Sequence, residues 1–132
     1  MRRNLKRIWL TIAAAFLLIN AGLVAQSFDN VANAIRNGNA SALAASFESN
    51  VEITIKDAGN SYSKSQAEMV LKNFFTTHHP KSFSIAHQGT SPEGSKYFIG
   101  SLSTSTGNFR TYVYAKTSGG GMVIQEIRFE EQ

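Results

Sequence analysis

From Ser82 onward the chain is cut by turn residues into four stretches that alternate apolar and polar side chains: about Ser82–Gln88, Lys96–Thr104, Phe109–Lys116 and Met122–Glu130. Successive side chains on a strand point to opposite sides, so this pattern predicts an antiparallel meander with one dry and one wet face. The breaks are a loop from Gly89 to Gly94, a tight Gly107-Asn108 turn and a glycine-rich loop from Ser118 to Gly121. Glycine and asparagine accept the left-handed backbone that short hairpin turns require. A sheet with one dry face needs a cover, and the rest of the chain must supply it.

Helical patterns upstream provide that cover. Phe28, Val31, Ala32 and Ile35 recur at helical spacing, and Gly38 is placed to end the helix in a left-handed turn. Asn39 can cap a second short helix that buries Leu43, Ala44 and Phe47. Residues Val51 to Lys56 alternate as a strand, Ala58-Gly59-Asn60 reads as its turn, and Ser61-Tyr62 as a short return. Ser63 and Gln66 then fit a capping box, and Ala67, Val70, Leu71, Phe74 and Phe75 form the stripe of a third helix, which Pro80 ends.

The N-terminus reads differently. Arg2, Arg3, Lys6 and Arg7 precede an apolar run from Ile8 to Ile19 and the small-residue stretch Ala21 to Ala25. That is the composition of a secretory signal, with cleavage expected after Ala25 and a mature domain of residues 26–132. An uncleaved anchor is the alternative, but Asn20 interrupts the run and no charged flank follows. The expected protein is exported, periplasmic or extracellular, with no stable membrane insertion after cleavage.

Removing the signal changes the charge. The chain has 13 Lys+Arg and 9 Asp+Glu, and four of the cations lie before residue 25, so the mature domain is formally neutral. The basic balance of the whole chain is therefore no argument for nucleic acid, and no Lys/Arg run suggests it. With 0 Cys, thiolate chemistry, disulfides and cysteine metal ligands are excluded.

If Gly107-Asn108 is a two-residue turn, Leu102 lies opposite Val113 and Gly100 opposite Ala115. Extending that register puts Phe83, Ile85, His87, Phe98, Leu102, Val113, Val123, Gln125, Ile127 and Phe129 on the dry face. Ile99, Ser101, Ser103, Arg110, Tyr112, Tyr114, Ile124, Glu126 and Arg128 fall on the other.

The element order, together with the runs Tyr62–Phe75, Pro80–Phe83, Tyr97–Leu102, Arg110–Tyr114 and Ile124–Glu130, resembles a family of small exported bacterial proteins known as domain of unknown function 4783. The resemblance implies a nuclear-transport-factor-2-like cone: α+β, with three N-terminal helices packed on a curved antiparallel sheet. It implies no activity, cofactor or catalytic residue.

Two candidate sites emerge. In a cone, His87, Gln125, Thr104, Thr111 and Phe74 could line a pocket for a small apolar ligand, or could be ordinary core. The opposite face, with Arg110, Tyr112, Tyr114, Glu126, Arg128 and Ile99, suits an interface and a homodimer, or is a wet sheet face. His78-His79 with His87 could suggest a metal, but adjacent helical residues diverge and no carboxylate comes at ligand spacing; no metal is expected. No catalytic motif is present. The expected role is a non-catalytic binding or interaction module without cofactor. The alternative is a pocket enzyme using His87 as general base, which requires a carboxylate within reach of that ring.

Overall fold

The computed structural model describes residues 28–118 and 121–132. The expected signal and its cleavage site lie outside the described residues. The chain divides into two compact units, Met1–Asn30 and Val31–Gln132, and the sheet belongs wholly to the second.

Helix α1 (28–37) stops at Gly38, whose φ is 63°. Helix α2 (Ala40–Ala44) comes next, capped by Asn39, whose Oδ1 accepts from the Ala42 N–H at 3.0 Å. Strand β1 (Phe47–Ile55) and strand β2 (Ala58–Ser63) form a hairpin that leads into helix α3 (Lys64–Thr77). Four strands complete the chain: β3 (Pro80–Thr90), β4 (Lys96–Thr104), β5 (Gly107–Ser118) and β6 (Gly121–Glu131). The Ser63/Gln66 capping box forms as its spacing predicts.

Two features of the expected architecture are corrected. Among the described residues there are not three comparable N-terminal helices: α3 is the one long helix, at 14 residues, and it enters only after the first hairpin. Nor is the sheet wholly antiparallel. Its six strands run β2-β1-β6-β5-β4-β3, and β1 lies parallel to β6. The helix between β2 and β3 carries the chain across the sheet, so the meander ends beside the strand that preceded it.

Both tight turns sit elsewhere than expected. The β1–β2 turn is Lys56-Asp57, because Ile55 pairs with Ala58. Gly59 instead lies opposite Thr54, whose Oγ1 would stand 2.9 Å from any Cβ placed there. The β4–β5 turn is Ser105-Thr106, with Thr104 paired to Gly107, so Leu102 faces Phe109 rather than Val113. A register shift of four residues is even and leaves the faces of β4 and β5 as expected.

The dry face is closed by aromatic packing. Leu71 is fully buried, and Ala67, Phe74 and Phe75 of α3 are buried with it. Phe74 stacks on Phe129 at 4.3 Å and meets Phe109 edge-on at 5.3 Å. Phe98, Leu102, Thr111, Val113, Ile127 and Phe129 lie beneath, each at most 1% exposed. Burying side chains of this size contributes roughly 1.5–3 kcal/mol each, so this layer dominates the fold's stability.

Candidate functional site

Two one-residue irregularities decide which side chains share a face. In β3, Ile85 pairs with Gly100 but His87 pairs with Ile99, so one residue is extra. In β6, Ile124 pairs with Ala115 but Glu126 pairs with Tyr114, leaving Gln125 as the extra residue. Each bulge inverts the side-chain alternation beyond it and bends its strand. His87 and Gln125 therefore leave the dry face, and Ile124 turns inward, fully buried.

The five residues expected to line a pocket are accordingly not brought together. Phe74 is packed into the core against three phenylalanine rings. Thr104 holds a turn: its hydroxyl donates to the Gly107 carbonyl at 2.7 Å and accepts from the Thr106 N–H at 3.2 Å. Gln125 donates to Glu48 at 3.2 Å, and the same carboxylate pairs with Lys116 at 2.6 Å. The Lys116 hydrogen bond, then that of Gln125, holds the Glu48 carboxyl below the usual carboxylate range. Thr111 stays inside, fully buried, its hydroxyl without a partner among the described residues.

His87 is exposed and its Nε2 lies 3.2 Å from the Tyr97 hydroxyl; among the described residues no carboxylate bonds to it. A general base so placed lacks the orienting acid that would fix its tautomer and stabilise its protonated form. Among the described residues, no three His, Asp or Glu side chains gather as a metal ion would need.

The outer face is where side chains converge. Its residues stand in rows across the strands. His87, Ile99, Tyr112, Arg128 and Thr54 are successive register partners from β3 to β1. On one side of it run Gly89, Tyr97, Tyr114, Glu126 and Glu52, and on the other Ser101, Arg110 and Glu130. All six residues expected to form an interface share this face. Tyr97, absent from the expected set, belongs with them, and its two-residue spacing from Ile99 is the signal that could have found it.

The rings are held in place. Tyr97 lies against Gly89, where an added Cβ would fall 2.7 Å from the phenolic oxygen. Tyr112 is nearly parallel to Tyr97, with ring centres 6.3 Å apart. Burial first, then the Glu126 carboxylate, raises the Tyr112 hydroxyl above the ordinary tyrosine value, so it stays a neutral donor. Arg128 reaches Glu126 at 3.5 Å and Glu130 at 3.9 Å, a loose exposed pairing worth little by itself.

Surface clefts flank the sheet. One of ≈ 490 Å³ is lined by Thr54, Lys56, Asp57, Arg128, Glu130 and Glu131, and its charges largely compensate each other. Another of ≈ 460 Å³ runs between β2 and α3, past Tyr62, Val70 and the exposed Met69. Among the described residues no helix is long and apolar enough to cross a membrane.

Known proteins share this architecture. The family described as "Domain of unknown function (DUF4783)" matches residues 28–130. A crystal structure of a DUF4783 protein from Bacteroides uniformis is 31% identical, covering 79% of this chain and 95% of that one, with a TM-score of 0.74. Another from Bacteroides ovatus is 26% identical over 78% and 93%, also with a TM-score of 0.74. A designed NTF2-like protein, 12% identical over 83% and 98%, has a TM-score of 0.66, a likeness of fold alone. No curated protein matches the chain.

Proposed function

We propose that this chain, which belongs to the DUF4783 family, works as an exported, non-catalytic interaction module whose outer sheet face docks against a second copy of itself. The observation that carries the reading is the tyrosine pair: Tyr97 and Tyr112 lie nearly parallel at 6.3 Å in the middle of a half-buried patch with Ile99 and Tyr114. Tyrosines are rigid, amphipathic and enriched where proteins bind. Charges of both signs, Arg110 and Arg128 against Glu126, Glu130 and Glu52, share the face, so a two-fold partner can match each with its opposite. Formal neutrality after loss of the basic N-terminus leaves no net repulsion between copies. The composition of residues 1–25 supports export.

The absence of cysteine makes a direct test simple, because any introduced thiol is unique. Single variants Ile99→Cys, Tyr112→Cys and Tyr114→Cys are oxidised mildly, beside Met69→Cys as a control on the far cleft. At least one face variant should form a disulfide-linked dimer and the control should not, since a disulfide needs Cα atoms about 4.4–6.8 Å apart. Equal cross-linking at all four positions would point to random collision and against the reading.

A second reading rests on Thr111. A fully buried hydroxyl without a partner is uncommon, and a small, mostly apolar ligand with one acceptor or donor would satisfy it. Native mass spectrometry of the protein purified from its own host detects such a ligand as added mass, lost in Thr111→Val.

A further inference from the structure

The two edges of the sheet are finished differently. β3 forms one edge, and several devices keep another strand from adding to it. It starts at Pro80 with exposed Lys81 beside it, and its register slips between Pro80 and Ser82 and again between Ile85 and His87. Arg36 of α1 also donates from Nε and Nη2 to the Phe83 carbonyl, at 3.3 and 3.0 Å. Prolines, charges, bulges and covering groups are how native sheets block edge pairing. β2 forms the other edge and carries none of these. Its 6 residues pair with β1 in unbroken register and include no proline and no charge.

Ile55 and Ala58 close a two-residue turn, so Ile55–Ala58, Ile53–Asn60 and Val51–Tyr62 are the hydrogen-bonded pairs of this hairpin. Gly59, Ser61 and Ser63 therefore turn their N–H and C=O groups away from β1. The Ser63 N–H is taken by Gln66 Oε1 at 3.3 Å, and Gly59 and Ser61 present theirs at the open edge. Beside them lies the ≈ 460 Å³ cleft, walled by Asn60, Ser61 and Tyr62 of β2 and by Gln66, Met69 and Val70 of α3. None of these residues is charged. Met69 is 58% exposed, the one large apolar side chain so placed among the described residues. On the other side of the strand Ser61 stands opposite Glu52, and Glu52 opposite Glu126. Like charges placed so repel. Arg128 engages Glu126 at 3.5 Å, but Glu52 makes no ion pair among the described residues.

We propose that the β2 edge takes up an extended segment of another protein, one in which apolar side chains alternate with Lys or Arg. The segment adds to the sheet as a further strand, its backbone bonded to the N–H and C=O groups of Gly59 and Ser61. Its alternate side chains then fall on opposite sides. Those on the side of Asn60 and Tyr62 enter the uncharged cleft against Met69 and Val70. Those on the side of Ser61 face the Glu52 carboxylate. Two strand spacings, about 9–10 Å, separate the backbones there, a span that a Lys and a Glu side chain together cover across the small Ser61. A cation in that place offsets the repulsion between Glu52 and Glu126. This charge match selects the occupant, because β2 of a second copy would bring no cation to Glu52. The edge is also separate from the outer face assigned to self-association.

The probe is the peptide acetyl-Val-Lys-Val-Lys-Val-Thr-amide, titrated into the full chain and followed through the backbone amides by NMR. Saturable shifts should centre on Gly59, Ser61, Met69 and Val70. Ser61→Pro suits the fold, because that N–H faces outward on an edge strand. It should weaken binding about tenfold or more, since a donor to the peptide is lost. Replacing both peptide lysines by glutamate should weaken binding severalfold, and Glu52→Gln should shrink that difference. No saturable shift at β2, unchanged binding by Ser61→Pro, or equal binding of the two peptides overturns the proposal. Concentration-dependent shifts of the β2 amides without peptide overturn it too, assigning the edge to a second copy. Should Ser61→Pro fold poorly, two lysine peptides N-methylated at odd or at even residues replace it. Loss of binding by the version whose blocked N–H groups face β2 supports the proposal, and full binding by both versions overturns it.

Discussion

The ring of Tyr97 rests against the backbone of Gly89, one strand away, so closely that a Cβ at Gly89 would meet its hydroxyl, Cζ and Cε1 at 2.7, 2.8 and 2.9 Å. The glycine gives the ring room to lie where it does, and Tyr112 aligns with it. Gly89→Ala should swing Tyr97 off the sheet and break its contact with His87. The stability cost should be only about 1 kcal/mol, because the end of a side chain can move aside. Gly100→Ala should cost more, toward about 3 kcal/mol, since that Cβ would meet the Ser84 carbonyl at 2.7 Å as well as the Phe83 ring. Urea denaturation of the two variants checks the order.

Phe74→Ala should be among the most damaging single changes. It removes a stacked partner of Phe129 and an edge contact with Phe109 at once, at a site the helix backbone cannot close over. A loss of about 3–5 kcal/mol is expected from equilibrium unfolding, larger than for any outer-face substitution.

Lys56 takes a φ of 58° at the first position of the β1–β2 turn, a conformation that costs a non-glycine residue energy. Lys56→Gly should raise stability by about 0.5–1 kcal/mol, despite loss of the exposed ion pair with Glu131. Thermal unfolding measures the gain. A lower melting temperature would mean that the pair matters more than the backbone.

Glu48 gives the acid limb a definite sign. Hydrogen bonds from Lys116 and Gln125 lower its carboxyl below the ordinary 4.5, so the charged form is favoured in the fold. Its contribution is therefore complete above 4.5 and is lost as pH falls through the lower folded value. Glu48→Gln should flatten the stability profile in that window by lowering stability slightly at neutral pH while leaving the acid end nearly unchanged, as denaturation at several pH values would reveal.

The elements legible in the sequence are those governed by local chemistry. Ser63 and Gln66 form the capping box, Asn39 caps α2, and Gly38 ends α1, because each needs only a few neighbouring residues. The alternation of β4 and β5 likewise determines which side Tyr112 and Phe98 take, even though the true register across their turn differs from the expected one. The departures from alternation are not legible. Nothing in the sequence around Gln125 or His87 announces a bulge, because the extra residue shows only in the pairing with the neighbouring strand. Those two residues are half of the expected pocket's polar groups, so the bulges move the candidate site from the inner face to the outer. The parallel pairing of β1 with β6 is hidden for a related reason: it depends on where the chain goes after α3, and no local pattern carries that.

The central claim is that Tyr112 and Tyr114 lie in a contact between two copies of the chain, and static light scattering across a wide concentration range tests it most directly. Wild type should give the mass of a dimer that dissociates on dilution. Tyr112→Asp combined with Tyr114→Asp would bury unpaired charge in the contact and should stay monomeric while remaining folded by circular dichroism. A wild type that is monomeric at the highest concentration, or a folded double variant that still dimerises, would contradict the account.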